Sequence, residues 1–152
     1  MEHKFLKEIG AGEPILDISD KREKKYREYE EKYGVYPPDC WALDYTMREH
    51  LYERLIQYLK DAEGIINLDF HKFTFEEKEY TQKELINKMI TIAEFSLMDL
   101  EKVSKKTKAY KRLINNPYYI KYGKYNDWKE EHTNLVKKFW EIWSIISPAM
   151  WW

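Results

Sequence analysis

The chain is poor in cysteine, glycine and proline, and these shortages exclude several classes of protein. The single cysteine, Cys40, excludes an internal disulfide framework and a cysteine-rich zinc module, so we expect an intracellular, reducing setting. Five glycines and five prolines in 152 residues are typical of a helical domain rather than of a disordered chain. No signal peptide is visible, and no apolar run approaches the roughly 20 residues that span a bilayer. We therefore expect a soluble, cytoplasmic protein with no membrane segment.

Enzyme signatures are also missing from the sequence. It has no glycine-rich phosphate loop, no Gly-x-Ser-x-Gly and no His-Glu-x-x-His. The histidines His3, His50, His71 and His132 do not have the spacing of metal ligands. We therefore predict no catalytic residue, no metal and no cofactor. A site assembled from scattered residues stays open as a minor hypothesis, centred on Asp44 with His50 or Glu94.

Aromatic side chains are abundant, with 13 Tyr, 6 Phe and 6 Trp. A chain of this length and aromatic content can bury a real core, so residues 1–152 are most simply one domain, with residues 1–18 the least firmly attached part. The formal net charge of −1 gives no overall attraction to nucleic acid or to a membrane surface.

Three long amphipathic helices are predicted from the spacing of apolar residues. The first begins at Asp39 as N-cap and runs to Ala62, and we expect it to be the central helix of the fold. The second begins with the capping box Thr81-Gln-Lys-Glu84 and loosens near residues 104–107. The third is predicted to begin with Asp127 as its N-cap, in the run Asp127-Trp-Lys-Glu130, and to end before Ser147-Pro148.

Shorter elements join these helices. A charged helix with a narrow tyrosine stripe is predicted over 20–33, and a short helical piece over 108–114. Residues 65–75 are predicted to be an ordered loop with room for a short β-hairpin, and residues 117–125 a tyrosine-rich loop. The predicted fold is an all-α bundle of three long helices plus one or two shorter ones.

Asp44 is the most informative single carboxylate, because it falls on the same helical stripe as Met47 and Leu55. It should therefore point inward or toward a groove. One interpretation is a polar pocket formed by Trp41, Asp44 and Arg48. The other is a structural ion pair, since a buried charge must be paired.

Basic residues are concentrated in the middle of the chain. Eight occur between positions 102 and 124 with no acidic residue among them: Lys102, Lys105, Lys106, Lys108, Lys111, Arg112, Lys121 and Lys124. Basic side chains with interleaved tyrosines suit phosphate contacts and base stacking, and they also suit an acidic protein surface. The candidate partner- or phosphate-binding residues are Lys105, Lys106, Lys108, Tyr110, Lys111, Arg112, Tyr118 and Lys121. An ordinary solvated surface is the alternative.

The chain ends in Trp151 and Trp152, which are costly to leave in water. They are predicted either to fold back onto the bundle or to act as interface anchors, a role for which tryptophan is favoured.

Three motifs resemble a family of small uncharacterised proteins of tailed phages and prophages. They are the run Tyr33-Gly-Val-Tyr-Pro-Pro-Asp-Cys-Trp-Ala-Leu-Asp-Tyr45 followed by Leu55-Ile-Gln-Tyr-Leu59, the run Lys88-Met-Ile-Thr-Ile-Ala-Glu-Phe95, and the pattern Leu135, Phe139, Trp143. The chain departs from the family pattern at Ser144, where an Asp is usual. The resemblance implies an accessory phage protein made in an infected bacterium, and it transfers no catalytic residue.

The leading hypothesis is a phage-encoded interaction protein in the host cytoplasm. It would bind a host macromolecule and thereby inhibit a defence system, such as a CRISPR effector or a nucleotide-signalling system. The alternative is a nucleotide- or nucleic-acid-binding module, or a sponge for a signalling nucleotide, that uses the basic, tyrosine-rich segment 102–125.

Overall fold

The computed structural model describes residues 3–12 and 19–150 of the chain. In these ranges the protein is mostly helical with one small hairpin, which confirms the predicted fold class. The helices are α1 (Lys4–Glu8), α2 (Asp20–Tyr33), α3 (Leu43–Ala62), α4 (Gln82–Leu97), α5 (Lys108–Ile114), α6 (Pro117–Tyr122) and α7 (Glu130–Ile146), with strands β1 (Lys72–Phe75) and β2 (Lys78–Thr81) before α4. Short 3-10 turns cover Pro37–Cys40, Leu100–Lys102 and Ser147–Ala149. No helix in these ranges is long and apolar enough to cross a membrane.

The central helix of the bundle is α4, which packs against α3 on one side and α7 on the other. Its buried side chains include Leu85, Ile86 and Met89, none of which retains measurable exposure. The predicted capping box is confirmed: the Thr81 hydroxyl accepts from the Glu84 N–H at 3.2 Å, and the Glu84 carboxylate accepts from the Thr81 N–H at 3.2 Å. The expectation that the 36–62 stretch is central was wrong, because α3 covers one face of α4.

The helix boundaries of the prediction need three corrections. Asp39 is not the cap of α3, because the two prolines before it start a 3-10 turn and α3 begins only after Ala42. The second long helix ends at Leu97 rather than near residue 104, since Met98 has an extended backbone. The residue at the N-cap of α7 is Lys129, not Asp127.

The hairpin lies slightly later than predicted, over 72–81. The strands pair antiparallel, with Phe73 opposite Tyr80. The two turn residues, Glu76 and Glu77, have φ angles of 49° and 63°, as a type I′ turn requires. An ion pair of 2.8 Å from Lys138 Nζ to Glu76 fixes this turn to α7.

Residues 117–125 were predicted to be a loop, but the structure has helix α6 over Pro117–Tyr122. Proline suits the first position of a helix, and Asn116 caps it by accepting from the Tyr118 N–H at 3.0 Å. Asn116 also donates to the Thr91 carbonyl of α4 at 3.1 Å. This single buried side chain therefore starts α6 and attaches it to the central helix.

The described part of the N-terminal stretch packs on the core. Leu6 and Ile9 are buried, and the Asp99 N–H donates to the Ile9 carbonyl at 2.9 Å. Gly10 has a φ of +77°, and a Cβ at this position would lie 2.3 Å from the Asp99 carbonyl oxygen. Glycine is therefore required both for the backbone angle and for the close approach.

Candidate functional site

An open groove of about 970 Å³ lies at the end of the bundle where α3 and α7 begin. One wall is the start of α3, the other is the loop 124–129 with the first turns of α7, and the floor reaches Ser96 near the end of α4. The residues that line it are Ala42, Leu43, Asp44, Tyr45, Arg48, Ser96, Lys124, Tyr125, Asn126, Asp127, Trp128, Lys129, Thr133 and Val136. We call this surface the groove.

A buried arginine forms the floor of the groove. Arg48 is only 4 % exposed, and its Nη1 donates to Ser96 Oγ at 2.6 Å. Its Nε and Nη2 donate to one oxygen of Asp44 at 3.2 and 2.9 Å. Because Asp44 lies one helical turn before Arg48, the pair forms within α3 and then attaches that helix to α4. The charge of Arg48 is thereby compensated, as burial requires.

The second oxygen of Asp44 accepts a hydrogen bond from Trp140 Nε1 of α7 at 2.7 Å. Asp44 therefore both forms a structural ion pair and lines a groove, so the two interpretations of this residue describe the same geometry. Trp41, the third member of the predicted polar pocket, lies beside the groove and packs against Tyr26 of α2 at 5.5 Å between ring centroids. The structure thus brings Asp44 and Arg48 together and leaves Trp41 on an adjoining surface.

The loop wall of the groove is supported by buried aromatic rings. Tyr125 stacks on His132 with ring centroids 5.2 Å apart, and His132 has no solvent exposure. Its Nδ1 lies 2.7 Å from the Asn126 backbone nitrogen and 2.8 Å from the Asn126 carbonyl oxygen, so the ring is hydrogen-bonded to the Asn126 backbone. Burial raises the pKa of the Tyr125 phenol, and the nearby Arg48 charge opposes the rise. The 124–129 loop is consequently held from below by groups in the core.

Trp128 stands at the rim of the groove and is 91 % exposed. Its backbone N–H donates to the Asn126 side chain at 2.9 Å, an Asx turn that holds the loop in place. Across the groove, Leu43 is 56 % exposed. Two large apolar side chains therefore face solvent on opposite walls, with Lys124, Asp127 and Lys129 around them. Trp128, set between Asp127 and Lys129, was missed as a site residue because its exposure depends on tertiary structure.

The lysines of the basic segment face solvent, but its tyrosines do not occupy the exposed stacking positions that the sequence predicted. Lys105, Lys106, Lys108, Lys111 and Lys121 are exposed, as phosphate contacts would require. Tyr110 and Tyr118 are half-buried, and Tyr118 packs on Phe95 with ring centroids 6.0 Å apart. Burial also raises the pKa of Tyr118. These two rings therefore pack against the core, and the lysines are the part of the segment that faces solvent.

Arg112 belongs to a buried network that the sequence did not reveal. Its Nε donates to Glu94 Oε1 at 3.0 Å, and the Tyr52 hydroxyl donates to Glu94 Oε2 at 2.5 Å. Glu94 is 6 % exposed and Tyr52 is 1 % exposed. Burial and the Glu94 charge raise the pKa of Tyr52 well above its usual range. The only available signal was a glutamate on the apolar stripe of α4.

The two carboxylates of the minor enzyme hypothesis serve separate networks. Asp44 is bonded to Arg48 and Trp140, whereas Glu94 is bonded to Tyr52 and Arg112. Both oxygens of each group accept hydrogen bonds, so each positions neighbouring side chains. Within residues 3–12 and 19–150, no three His, Cys, Asp or Glu side chains converge as metal ligands would. Trp151 and Trp152 lie outside the described residues.

Comparison with protein-family models, with curated proteins and with solved structures finds no match of any of the three kinds.

Proposed function

We propose that the chain is an interaction protein, encoded by a phage or prophage, that binds a protein of the bacterial host through the groove and thereby inhibits a host defence system such as a CRISPR effector. The observation that supports this most directly is Trp128, which is 91 % exposed on the rim of a groove of about 970 Å³. The phage-like motifs of α3, α4 and α7 support the proposed origin.

The energetic argument rests on what an exposed tryptophan contributes when a partner covers it. A tryptophan side chain buries about 150–250 Å² at an interface, and residues of this type dominate measured binding energies. Leu43 on the facing wall supplies a second apolar contact. The rim carries both signs of charge, from Lys124, Asp127 and Lys129, which suits a polypeptide surface with its own mixed charges.

The groove is also fixed before binding. Its floor is held by the Arg48–Asp44 pair and its loop wall by His132 and the Asn126 turn. A surface that is already ordered loses less conformational entropy on association, so more of the contact energy appears as affinity.

The test is affinity capture of the tagged chain from a bacterial lysate, compared with two variants. Trp128→Ala removes the rim anchor, whereas Phe70→Ala removes another strongly exposed aromatic side chain (74 % exposed, against 91 % for Trp128) that does not line the groove. We expect one stoichiometric host protein to be captured by the wild type and by Phe70→Ala. Trp128→Ala should weaken the affinity for that protein by about thirtyfold, or roughly 2 kcal/mol.

The same variants should be compared in cells that carry an active defence system and are challenged with phage. Inhibition of the defence by the wild type and by Phe70→Ala, but not by Trp128→Ala, is the expected result. Equal behaviour of all three chains would rule out the groove as the binding surface, and the absence of any stoichiometric partner would rule out the proposal itself.

A second candidate function is the binding of a nucleotide or nucleic acid by the segment 102–125. The observation that favours it is that all eight basic residues of the segment are exposed and no acidic residue lies among them. A labelled single-stranded oligonucleotide should then bind at low salt, with the logarithm of the binding constant falling by about 0.7 per phosphate contact for each unit of log salt. Lys105→Glu should weaken this binding. No oligonucleotide binding at low salt would exclude nucleic-acid binding by this surface.

A further inference from the structure

A second cavity, of about 410 Å³, lies between α1, the 3-10 turn at 100–102 and α5. Basic side chains from all three elements line it: Lys7 from α1, Lys102 from the turn, and Lys108 and Arg112 from α5. One carboxylate, Glu8, lies on the same wall. Lys7, which is far from the basic segment in sequence, therefore joins three basic residues of that segment around one cavity. The sequence of the basic segment alone does not predict this arrangement. We call this space the basic cavity.

Arg112 is the most firmly held of these cations. Its Nε donates to the buried Glu94 at 3.0 Å, and Glu94 is itself held by Tyr52 at 2.5 Å. The Arg112 side chain is nevertheless 49 % exposed, so the guanidinium is anchored at one edge and open at another. An arginine fixed in this way loses little side-chain entropy when it binds an anion, and its fork geometry matches the oxygens of a phosphate.

Two hydroxyl groups also line the basic cavity, and they have different roles. Thr107 Oγ1 donates to the Ser104 carbonyl at 2.7 Å and accepts from the Tyr110 N–H at 3.1 Å, so it is occupied as the cap of α5. Ser104 Oγ accepts a long 3.5 Å hydrogen bond from the Lys106 N–H. Its own O–H can rotate toward the cavity, because a hydroxyl proton turns to suit its acceptor.

No aromatic ring is found among the described residues that line this cavity. Base stacking, which binding to a nucleic-acid strand uses, therefore has no platform here. The volume falls at the lower end of the range for small-molecule pockets. Lys108, the exposed edge of the Arg112 guanidinium and the Ser104 hydroxyl supply donors suited to a compact dianion.

We propose that the basic cavity binds the phosphate group of a small phosphorylated molecule. This inference rests on the second candidate function, the binding of a nucleotide or nucleic acid. It restricts the binding site from the whole exposed surface of the basic segment to one cavity. Arg112, Lys108 and Ser104 contact the phosphate oxygens, and Lys7 and Lys102 add positive charge to the walls. Glu8 opposes the dianion and restricts binding to groups that reach the cationic side. The groove and its proposed partner are independent of this site.

Calorimetric titration of the full chain tests the proposal with three probes: pyrophosphate, AMP and adenosine. Pyrophosphate and AMP should bind, and adenosine should not, because it lacks the phosphate. Lys108→Glu places a negative charge on the cavity wall and should weaken pyrophosphate binding by at least about tenfold. Ser104→Ala removes one uncharged donor and should weaken it by about threefold.

Lys105→Glu and Lys111→Glu are the matched controls, since they make the same change of charge in the same segment at positions that do not line the cavity. They should change the affinity for pyrophosphate by less than about threefold, because their exposed charges act on the cavity through water, where the high dielectric constant weakens the interaction. An equal loss in all three lysine variants would overturn the proposal in favour of a diffuse effect of net charge. Failure of pyrophosphate to bind would overturn it outright.

A single-stranded oligonucleotide without a terminal phosphate separates this site from the second candidate function. If it binds in a manner sensitive to Lys105→Glu while pyrophosphate does not bind, the basic cavity is excluded and the basic surface is retained. If pyrophosphate binds and the oligonucleotide does not, the cavity is supported and nucleic-acid binding is excluded.

Discussion

Helices α3 and α4 lie against each other, yet they bury very different side chains. Most of the buried residues of α4 are apolar, and Leu85, Ile86 and Met89 are completely buried. Of the five buried residues of α3, two are Thr46 and Arg48, and a third, Tyr52, has its hydroxyl bonded to Glu94. One helix is therefore held mainly by the hydrophobic effect. The other is held to a large extent by buried polar contacts, which must stay paired.

The strongest test of this contrast is Glu94→Ala. The change leaves the buried Tyr52 hydroxyl without its acceptor and Arg112 without its carboxylate. We expect a loss of about 3 kcal/mol in the free energy of unfolding, measured by urea denaturation, because the buried Tyr52 hydroxyl is left unsatisfied and a charge-assisted hydrogen bond is lost. Glu94→Gln, which keeps one acceptor oxygen, should lose less. A loss below about 1 kcal/mol for Glu94→Ala would show that the network contributes little.

Arg48→Met should have a smaller effect on stability. Methionine fills the same space, and Asp44 keeps its bond to Trp140 and is exposed enough to be solvated by water. The hydrogen bond to Ser96 is lost, so we expect the free energy of unfolding to fall by about 2 kcal/mol. Lys124→Met, on the exposed rim, is the control and should be close to neutral. An equal loss in both variants would contradict a structural role for Arg48.

Glu49 of α3 is expected to make the free energy of unfolding depend on pH. Burial raises the pKa of Glu49 to about 7, with His3 opposing the rise and Asp39 adding to it. A carboxyl whose pKa is raised on folding favours the folded state while it is protonated, and that stability is lost as pH rises through about 7. Glu49→Gln should therefore be more stable than the wild type by about 1–2 kcal/mol at about pH 8, and similar to it at about pH 5.

Urea denaturation at both pH values measures this difference. Glu28→Gln, an exposed glutamate of α2, is the control and should leave the pH dependence of the wild type unchanged. A Glu49→Gln variant that follows the wild type at both pH values would show that Glu49 is solvated in the folded state.

The smallest expected effect concerns the start of α4. Thr81→Ala removes the hydroxyl that accepts from the Glu84 N–H, which should lower the free energy of unfolding by about 1 kcal/mol. Thr91→Ala makes the same substitution within α4, where alanine has the higher helix propensity, so it should cost little. Thermal unfolding of the two variants separates a cap effect from a general effect of losing a threonine.

The same contrast explains which parts of the fold could be predicted. The capping box at Thr81 and the apolar stripe of α4 are local patterns, and both were correct. On α3 the pattern indicated Met47 as an inward residue, yet Met47 is 41 % exposed and Arg48 is buried beside it. Hydrophobic periodicity assigns charged residues to the surface, so it misplaces a helix face that is buried through hydrogen bonds.

Only those contacts of the candidate site that join residues close together in the sequence could be predicted. The Asp44–Arg48 pair was visible because its members are four residues apart, one turn of a helix. The bond from Trp140 to Asp44 joins residues 96 positions apart, and no sequence spacing indicates it. The exposure of Trp128 is likewise not predictable from the sequence, since a tryptophan in a short polar loop can be either buried or exposed to solvent.

The long separation between Asp44 and Trp140 also has a consequence for biosynthesis. A ribosome makes α3 early and α7 near the end of the described chain, so one wall of the groove is finished long before the other exists. Closing a loop of this length carries an entropic cost that only completed packing of α7 can offset. The nascent chain accordingly has no complete groove until its last long helix has left the exit tunnel and packed against α3 and α4.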